Sequence, residues 1–177
     1  MGLVRWMFAA ALAGVAQSGV AGGDALLGHE LRRLHSSEVV SLARYAGQPL
    51  LIVNTASHCG YTRQFQGLEA VHREYAPRGL KVLGFSSNDF NQEADEVEAA
   101  KVCFVNFGVS FDMFATIPVR GEGAHPLFRE LARQSGQSPR WNFHKYVVDR
   151  SGRVVAAFPS RVEPDDPALR EAIERVL

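Results

Sequence analysis

Leu50-Leu51-Ile52-Val53-Asn54-Thr55-Ala56-Ser57-His58-Cys59-Gly60-Tyr61-Thr62 is the stretch on which the reading of this chain turns. Its apolar start does not alternate with polar residues, which is the pattern of a strand covered on both faces. Small and polar residues then turn the chain. Beyond them, apolar side chains recur at Phe65, Leu68, Val71 and Tyr75, close to the helical period of 3.6. A strand ends, the chain turns, and Cys59 is expected at or just before the first turn of a helix, exposed on a βα loop. Free amide N–H groups and the positive end of the helix dipole favour a thiolate there. The competing reading is a buried cysteine that packs as a small hydrophobe. The polar and small neighbours of Cys59 favour the reactive one.

Working outward, Gly79 is a good stop for the first helix. Lys81 to Phe85 reads as a second buried strand, and Ser86 to Asn91 as a polar loop at its C-terminal end. A second helix is expected to carry Val97, Ala100, Phe104 and Phe107 on its apolar side, with Asp95 and Glu96 favourably placed in its first turn. Before the central stretch, Leu31 to Val40 reads as short extended pieces and Arg44 to Pro49 as a turn. Near the end, Tyr146 to Val148 and Val154 to Phe158 form a hairpin about the turn Asp149-Arg150-Ser151-Gly152. Asp166 and Pro167 open a closing helix with Leu169, Ile173, Val176 and Leu177 on its apolar face. The order is βαβα followed by ββα. That is an α/β chain on the thioredoxin-like plan: a central mixed β-sheet flanked by helices, with an insertion between its halves. In open α/β sheets function gathers at the C-terminal ends of the strands, where Cys59 and the Asn88-Asp89 loop fall.

With 177 residues, 46% of them apolar, the chain has the length of one domain and an ordinary core. Its 19 basic and 19 acidic residues balance, and no long run of like charge suggests a nucleic-acid surface. Arg5, the apolar run Met7 to Ala16, and small residues at Gly19-Val20-Ala21 form the pattern of a secretory signal peptide. The apolar run is too short to span a bilayer. Residues 1–21 are therefore expected to be a removed signal, and 22–177 a single domain in an exported, periplasmic compartment. An uncleaved anchor and a misassigned start are the competing readings. Only two cysteines occur, Cys59 and Cys103. In an exported chain that invites a disulfide, and their spacing does not decide between a staple and a redox pair. The histidines show no metal-ligand spacing, and there is no C-x-x-C-H haem motif or G-x-G-x-x-G loop.

Four segments in order resemble the glutathione peroxidase family, from about His29 to the C-terminus. Asn54-Thr55-Ala56-Ser57-His58-Cys59-Gly60-Tyr61-Thr62 is similar to the family's N-V-A-S-x-C-G-x-T. Val82 to Phe90 resembles V-L-G-F-P-C-N-Q-F. Gly108 to Phe114, with Ala124-His125-Pro126-Leu127-Phe128, resembles G-V-x-F-P-M-F and A-H-P-L-F. Trp141-Asn142-Phe143-His144-Lys145-Tyr146 resembles W-N-F-x-K-F. The resemblance implies the thioredoxin-like fold with the family's insertion. It also implies a thiol-dependent peroxidase that reduces hydrogen peroxide and organic hydroperoxides through a cysteine sulfenic acid. Cys59 would attack the peroxide, with the Trp141 indole and the Asn142 amide beside its sulfur. No cofactor is implied; the co-substrate is a thiol, a thioredoxin-like protein or glutathione. Cys103 stands where the thioredoxin-dependent branch places its resolving cysteine; a core cysteine is the alternative. The short segment Arg129 to Arg140, where tetrameric relatives carry a longer insertion, implies a monomer and an open site.

The departures are informative. Asp89 stands at the family's glutamine, replacing an N–H donor with an acceptor-only group when ionised. An ionised Asp89 close to the sulfur would raise the thiol pKa. Either Asp89 is protonated or paired, or it accepts a proton from the site; the sequence leaves both open. Ser86 and Ser87 replace the motif's Pro and Cys, and the loop before Gln92-Glu93 is one residue shorter. His58 adjoins Cys59 and is a lesser candidate for tuning it; His125 and His144 match family positions without a role that follows from the sequence. Two rival functions remain at this stage. An exported thiol–disulfide oxidoreductase shares the plan, but Thr62 occupies the second cysteine position of a C-x-x-C motif. A copper-binding module needs closely spaced soft ligands that this chain lacks.

Overall fold

The structure, a computed structural model, describes residues 25–177. The expected signal segment, residues 1–21, lies outside the described residues. Strands are β1 (Glu30–Arg32), β2 (Val39–Ser41), β3 (Leu50–Thr55), β4 (Lys81–Ser86), β5 (Asp112–Phe114), β6 (Lys145–Val148) and β7 (Val154–Phe158). Helices are α1 (Gln64–Tyr75), α2 (Glu96–Ala100), α3 (Pro126–Ser135) and α4 (Pro167–Glu174). β1 and β2 form an antiparallel pair. The others make a mixed sheet in the order β5-β4-β3-β6-β7, with β3, β4 and β5 parallel and β6 and β7 antiparallel.

β3 is the centre of the sheet, and all six of its residues are buried, as its unalternating apolar run requires. Strand geometry sends alternate residues to opposite faces. Leu51 and Val53 join one core with Phe65, Leu68 and Val71 of α1 and Leu169 and Ile173 of α4. Leu50 and Ile52 join the other with Leu127, Phe128 and Leu131 of α3. Each such side chain contributes about 1.5–3 kcal/mol by leaving water.

Two expectations are corrected here. The helix that covers the opposite face is α3, which begins at Pro126 with His125 Nδ1 accepting from Leu127 N at 3.2 Å. Without α2 and β5 the order is βαβα–ββα, so these two elements are the insertion. The second helix, moreover, does not keep one apolar face. After the five residues of α2 it continues as a π-helical stretch, Lys101–Asn106. There the Phe107 N–H reaches the Val102 carbonyl at 3.2 Å, an i→i+5 bond. The wider turn shifts the phase. Ala99, Ala100, Val102 and Cys103 face the core, while Val97 and Phe104 are 62% and 41% exposed.

Candidate active site

β3 carries its chain directly into the cysteine loop. Thr62 Oγ1 closes that loop, donating to the Ala56 carbonyl at 2.9 Å and accepting from the Cys59 N–H at 3.0 Å. Turns of the i→i+3 kind then lead from Cys59 to the start of α1 at Gln64. Cys59 thus precedes the helix by a full turn and is 8% exposed, not open to solvent as the sequence implied. It belongs to the buried apolar cluster that includes Phe65 and Phe143. The Tyr61 N–H points at its Sγ, 3.4 Å away. Cys59 and Cys103 are both free thiols.

Glu93 pins the other side of this loop. Its Oε1 accepts from Ser57 N at 3.0 Å and also from the Ser57 hydroxyl, and its Oε2 accepts from Ser86 Oγ at 2.8 Å. Gln92 O accepts the His58 N–H at 2.9 Å. Ser86, which replaces the family's proline, is therefore a working hydrogen-bond partner.

Trp141 and Asn142 form a turn suspended from β3. The Asn54 side chain donates to Trp141 O at 3.2 Å and to Asn142 Oδ1 at 3.5 Å, and accepts from His144 N at 3.1 Å. Phe143 N donates to Asn54 O at 2.6 Å. Phe143 sits in the left-handed region, φ 64°, with its ring buried edge-to-face against Phe65. Lys145, fully buried, donates from Nζ to Phe143 O at 2.7 Å and to Gln64 Oε1 at 2.6 Å. Burial pushes the Lys145 pKa down to about 7, with Glu163 acting the other way. Asn142 is fully buried and its Nδ2 has no partner among the described residues. Buried amide donors are rarely left so, and this one is available to a reacting group.

Asp89 approaches from β4 and is paired. Its Oδ2 accepts from Val119 N at 2.5 Å and Arg120 N at 3.2 Å, while Arg120 donates back to Asp89 O at 2.7 Å. This clasp lays the Arg120 guanidinium over the Phe90 ring, 4.4 Å from its centroid, and Phe90 packs against Trp141 at 5.2 Å. The structure therefore gathers Asp89, Phe90, Arg120 and Trp141. Among the described residues, no hydrogen bond joins Cys59 Sγ to Trp141, Asn142 or Asp89. Cys103 lies in the same buried cluster as Cys59. Burial pushes its thiol up to about 12, and Glu93 adds to the effect.

Asn54, Glu93 and Lys145 were not singled out from the sequence as supports. Their partners lie far along the chain, 87 positions from Asn54 to Trp141 and 81 from Lys145 to Gln64. Asn54 and Lys145 carried only the signal of membership of the quoted motifs, and Glu93 lies just beyond the Val82 to Phe90 segment.

The arrangement finds matches among known proteins. Residues 29–132 fit the model of the glutathione peroxidase family. The chain is 40% identical over 148 residues to a glutathione peroxidase of Lactococcus lactis, covering 80% of this chain and 93% of that protein. It is 37% identical over 166 residues to the thioredoxin/glutathione peroxidase BtuE of Escherichia coli, with 79% and 91% covered. The crystal structure of Trgpx in apo form superposes with a TM-score of 0.64 at 30% identity, covering 85% of this chain and 97% of that one. The protein is a thiol-dependent peroxidase on a thioredoxin-like scaffold. It belongs to the glutathione peroxidase family.

Proposed function

We propose that Cys59 attacks the hydroperoxide, that Asn142 and Trp141 supply the donors, and that Cys103 resolves the product. The observation that carries this is the buried, unpartnered Nδ2 of Asn142, held through Asn54 at the end of the strand that leads into Cys59. The Cys59 thiolate takes one peroxide oxygen, the O–O bond breaks, and the departing alkoxide or hydroxide takes up a proton. Cys59 is then a sulfenic acid. Donors fixed before the reaction stabilise the charge that moves between sulfur and oxygen. Asp89 acts by position: its Oδ2 is occupied by two backbone N–H groups, which fix the loop behind Phe90 and Trp141.

The Cys103 sulfur then displaces the sulfenic oxygen as water, forming a disulfide that a dithiol reductant reopens. A thioredoxin-like protein suits an internal disulfide; the dual name of the Escherichia coli relative supports that choice over glutathione alone. At rest Cys103 stays a thiol, because burial disfavours its anion. To react it must leave the core, and it sits on the π-helical stretch, a rare geometry that occurs mostly as short bulges and is frequent at functional sites. The chain acts as a monomer, and as an exported protein with residues 1–21 removed, which N-terminal sequencing of the mature protein tests.

The decisive measurement is peroxide turnover with thioredoxin and with glutathione, joined to a peptide map after one equivalent of peroxide. A Cys59–Cys103 link is expected in the wild type. Cys59→Ser should lose all turnover, and Cys103→Ser should keep the first oxidation but lose turnover with thioredoxin. Retained turnover in Cys59→Ser would overturn the assignment, and finding only over-oxidised or glutathionylated Cys59 would remove the resolving role of Cys103.

A further inference from the structure

Among the described residues, Lys145 is the only lysine or arginine that is fully buried. No carboxylate lies within hydrogen-bonding distance of its ammonium. Nζ donates instead to two neutral oxygens, Gln64 Oε1 at 2.6 Å and Phe143 O at 2.7 Å. A buried ammonium without a counter-charge costs the fold stability that an apolar side chain of the same length would not. Packing alone therefore gives no reason for a lysine here.

Both of its bonds lead to the reaction site. Gln64 opens α1, and its N–H donates to Tyr61 O at 2.8 Å. The Tyr61 N–H in turn points at Cys59 Sγ. The Gln64 side chain is itself buried and fixed, with Nε2 donating to Ser160 O at 2.8 Å. An unbroken path thus runs from Lys145 through Gln64 and Tyr61 to the sulfur. The other bond holds the carbonyl of Phe143, the residue after Asn142, whose Nδ2 is buried and unpartnered. One cation spans the amide that faces sulfur and the amide offered to the peroxide.

Little charge surrounds it. Its neighbours in the sheet are Val53 on β3 and Phe158 on β7, both apolar. From α1 it meets the uncharged Gln64. Burial, with Lys145 adding to it, brings the preceding His144 down to about 4, so that ring is neutral above pH 6. Glu163, before α4, acts on Lys145 from a distance and favours the ammonium. Burial outweighs it and brings the Lys145 pKa to about 7.

We propose that Lys145 is a positioning residue for the oxidation of Cys59, its ammonium holding the Tyr61 N–H on the sulfur and the Asn142 amide towards the peroxide in one fixed arrangement. This inference rests on the peroxidase reading above. Hydrogen bonds from a charged donor are roughly twice as strong as neutral ones. The arrangement is therefore tightest while Lys145 keeps its proton and slackens as the amine forms. Rate and stability then run in opposite directions with pH. The unfolded chain keeps the lysine proton up to 10.5 and the folded chain sheds it near 7, so the wild type gains stability over Lys145→Met as pH rises. The rate advantage, carried by the ammonium, is largest below pH 7.

The test is the second-order rate of oxidation of Cys59 by hydrogen peroxide, with no thiol reductant present, in the wild type and Lys145→Met from pH 6 to 9. At pH 6 the wild type should be about tenfold faster, the scale of a small misplacement of reacting groups. That ratio should narrow towards pH 9, while urea titrations of the same two proteins show the stability gap widening. Equal rates at pH 6 would overturn the proposal. So would a ratio that stays level or widens with the stability gap, which is what a purely structural lysine gives. Should Lys145→Met fail to fold, Gln64→Met keeps the lysine and cuts its arm towards Tyr61. The same narrowing ratio is then expected, and the same two results overturn it. A wild type whose Cys59 is not oxidised by peroxide at all would instead fail the peroxidase reading itself.

Discussion

Lys145→Met should make the stability of this protein lose much of its dependence on pH between 6 and 9. Lys145 is fully buried, and its ammonium meets only two neutral oxygens, those of Gln64 and Phe143. Burial pushes its pKa from 10.5 down to about 7. Below pH 7 folded and unfolded chains both hold the proton. Between 7 and 10.5 the unfolded chain holds a proton that the folded chain has released, so stability rises with pH across that window. At roughly 1.36 kcal/mol per unit, the gain between pH 6 and 9 is about 3 kcal/mol. Methionine fills similar space and cannot titrate. It leaves Gln64 Oε1 and Phe143 O without that donor, at a cost of about 1–3 kcal/mol for each, but it also removes the buried charge. The two proteins should therefore be close in stability at pH 6, and the wild type should lead by about 3 kcal/mol more at pH 9. Cys103, whose thiol is pushed up to about 12, works in the opposite direction above its unfolded value. It does so in both proteins and cancels in the difference. Urea titrations of the wild type and Lys145→Met at half-unit pH steps give that difference directly. A difference that stays flat from pH 6 to 9 would refute the assignment of a depressed, buried lysine.

Asp89→Ala removes the acceptor of the Val119 and Arg120 N–H groups and should cost about 1–3 kcal/mol, with slower oxidation of Cys59 as Phe90 and Trp141 lose their backing. Asp89→Asn should recover most of both; an Asn variant as slow as Ala at every pH where the thiol is protonated would instead make Asp89 a proton acceptor. Asn54→Asp keeps the acceptor for His144 N but loses the donors to Trp141 O and Asn142 Oδ1, and stopped-flow oxidation of Cys59 should slow by about tenfold with the fold intact. An unchanged rate would show that the Trp141–Asn142 turn needs no tether from β3.

The sequence is most legible where one physical signal dominates. The apolar run of β3 and the 3.6 period of α1 gave the strand Leu50–Thr55 and a helix carrying Phe65 to Tyr75 with its stop at Gly79; in the structure the α-helix closes at Tyr75 and a 3-10 turn, Ala76–Arg78, runs on to Gly79. β5 is three residues long, too short for a period of 2 to register. α3 opens on His125, a side chain outside the usual capping set, so its start carries only the signal of Pro126. The apolar phase of α2 was misread because a π-helical turn changes the period within the element, and no local residue marks that change. At the site, Trp141, Asn142, Asp89 and both cysteines were named from the sequence. The clasp between Asp89 and the Val119–Arg120 backbone was not, since a carboxylate's partner 30 positions away is set by tertiary packing.

In the proposed mechanism Phe143 bears on how fast the enzyme begins each cycle. A residue with a Cβ held at φ 64° costs on the order of 1–3 kcal/mol relative to a relaxed backbone. The ring of Phe143 against Phe65 and the Lys145 bond to its carbonyl keep it there. The geometry of the adjoining donors is therefore settled once, when the chain folds. A hydroperoxide that arrives meets a finished mould, and no part of its binding free energy is diverted into shaping that turn.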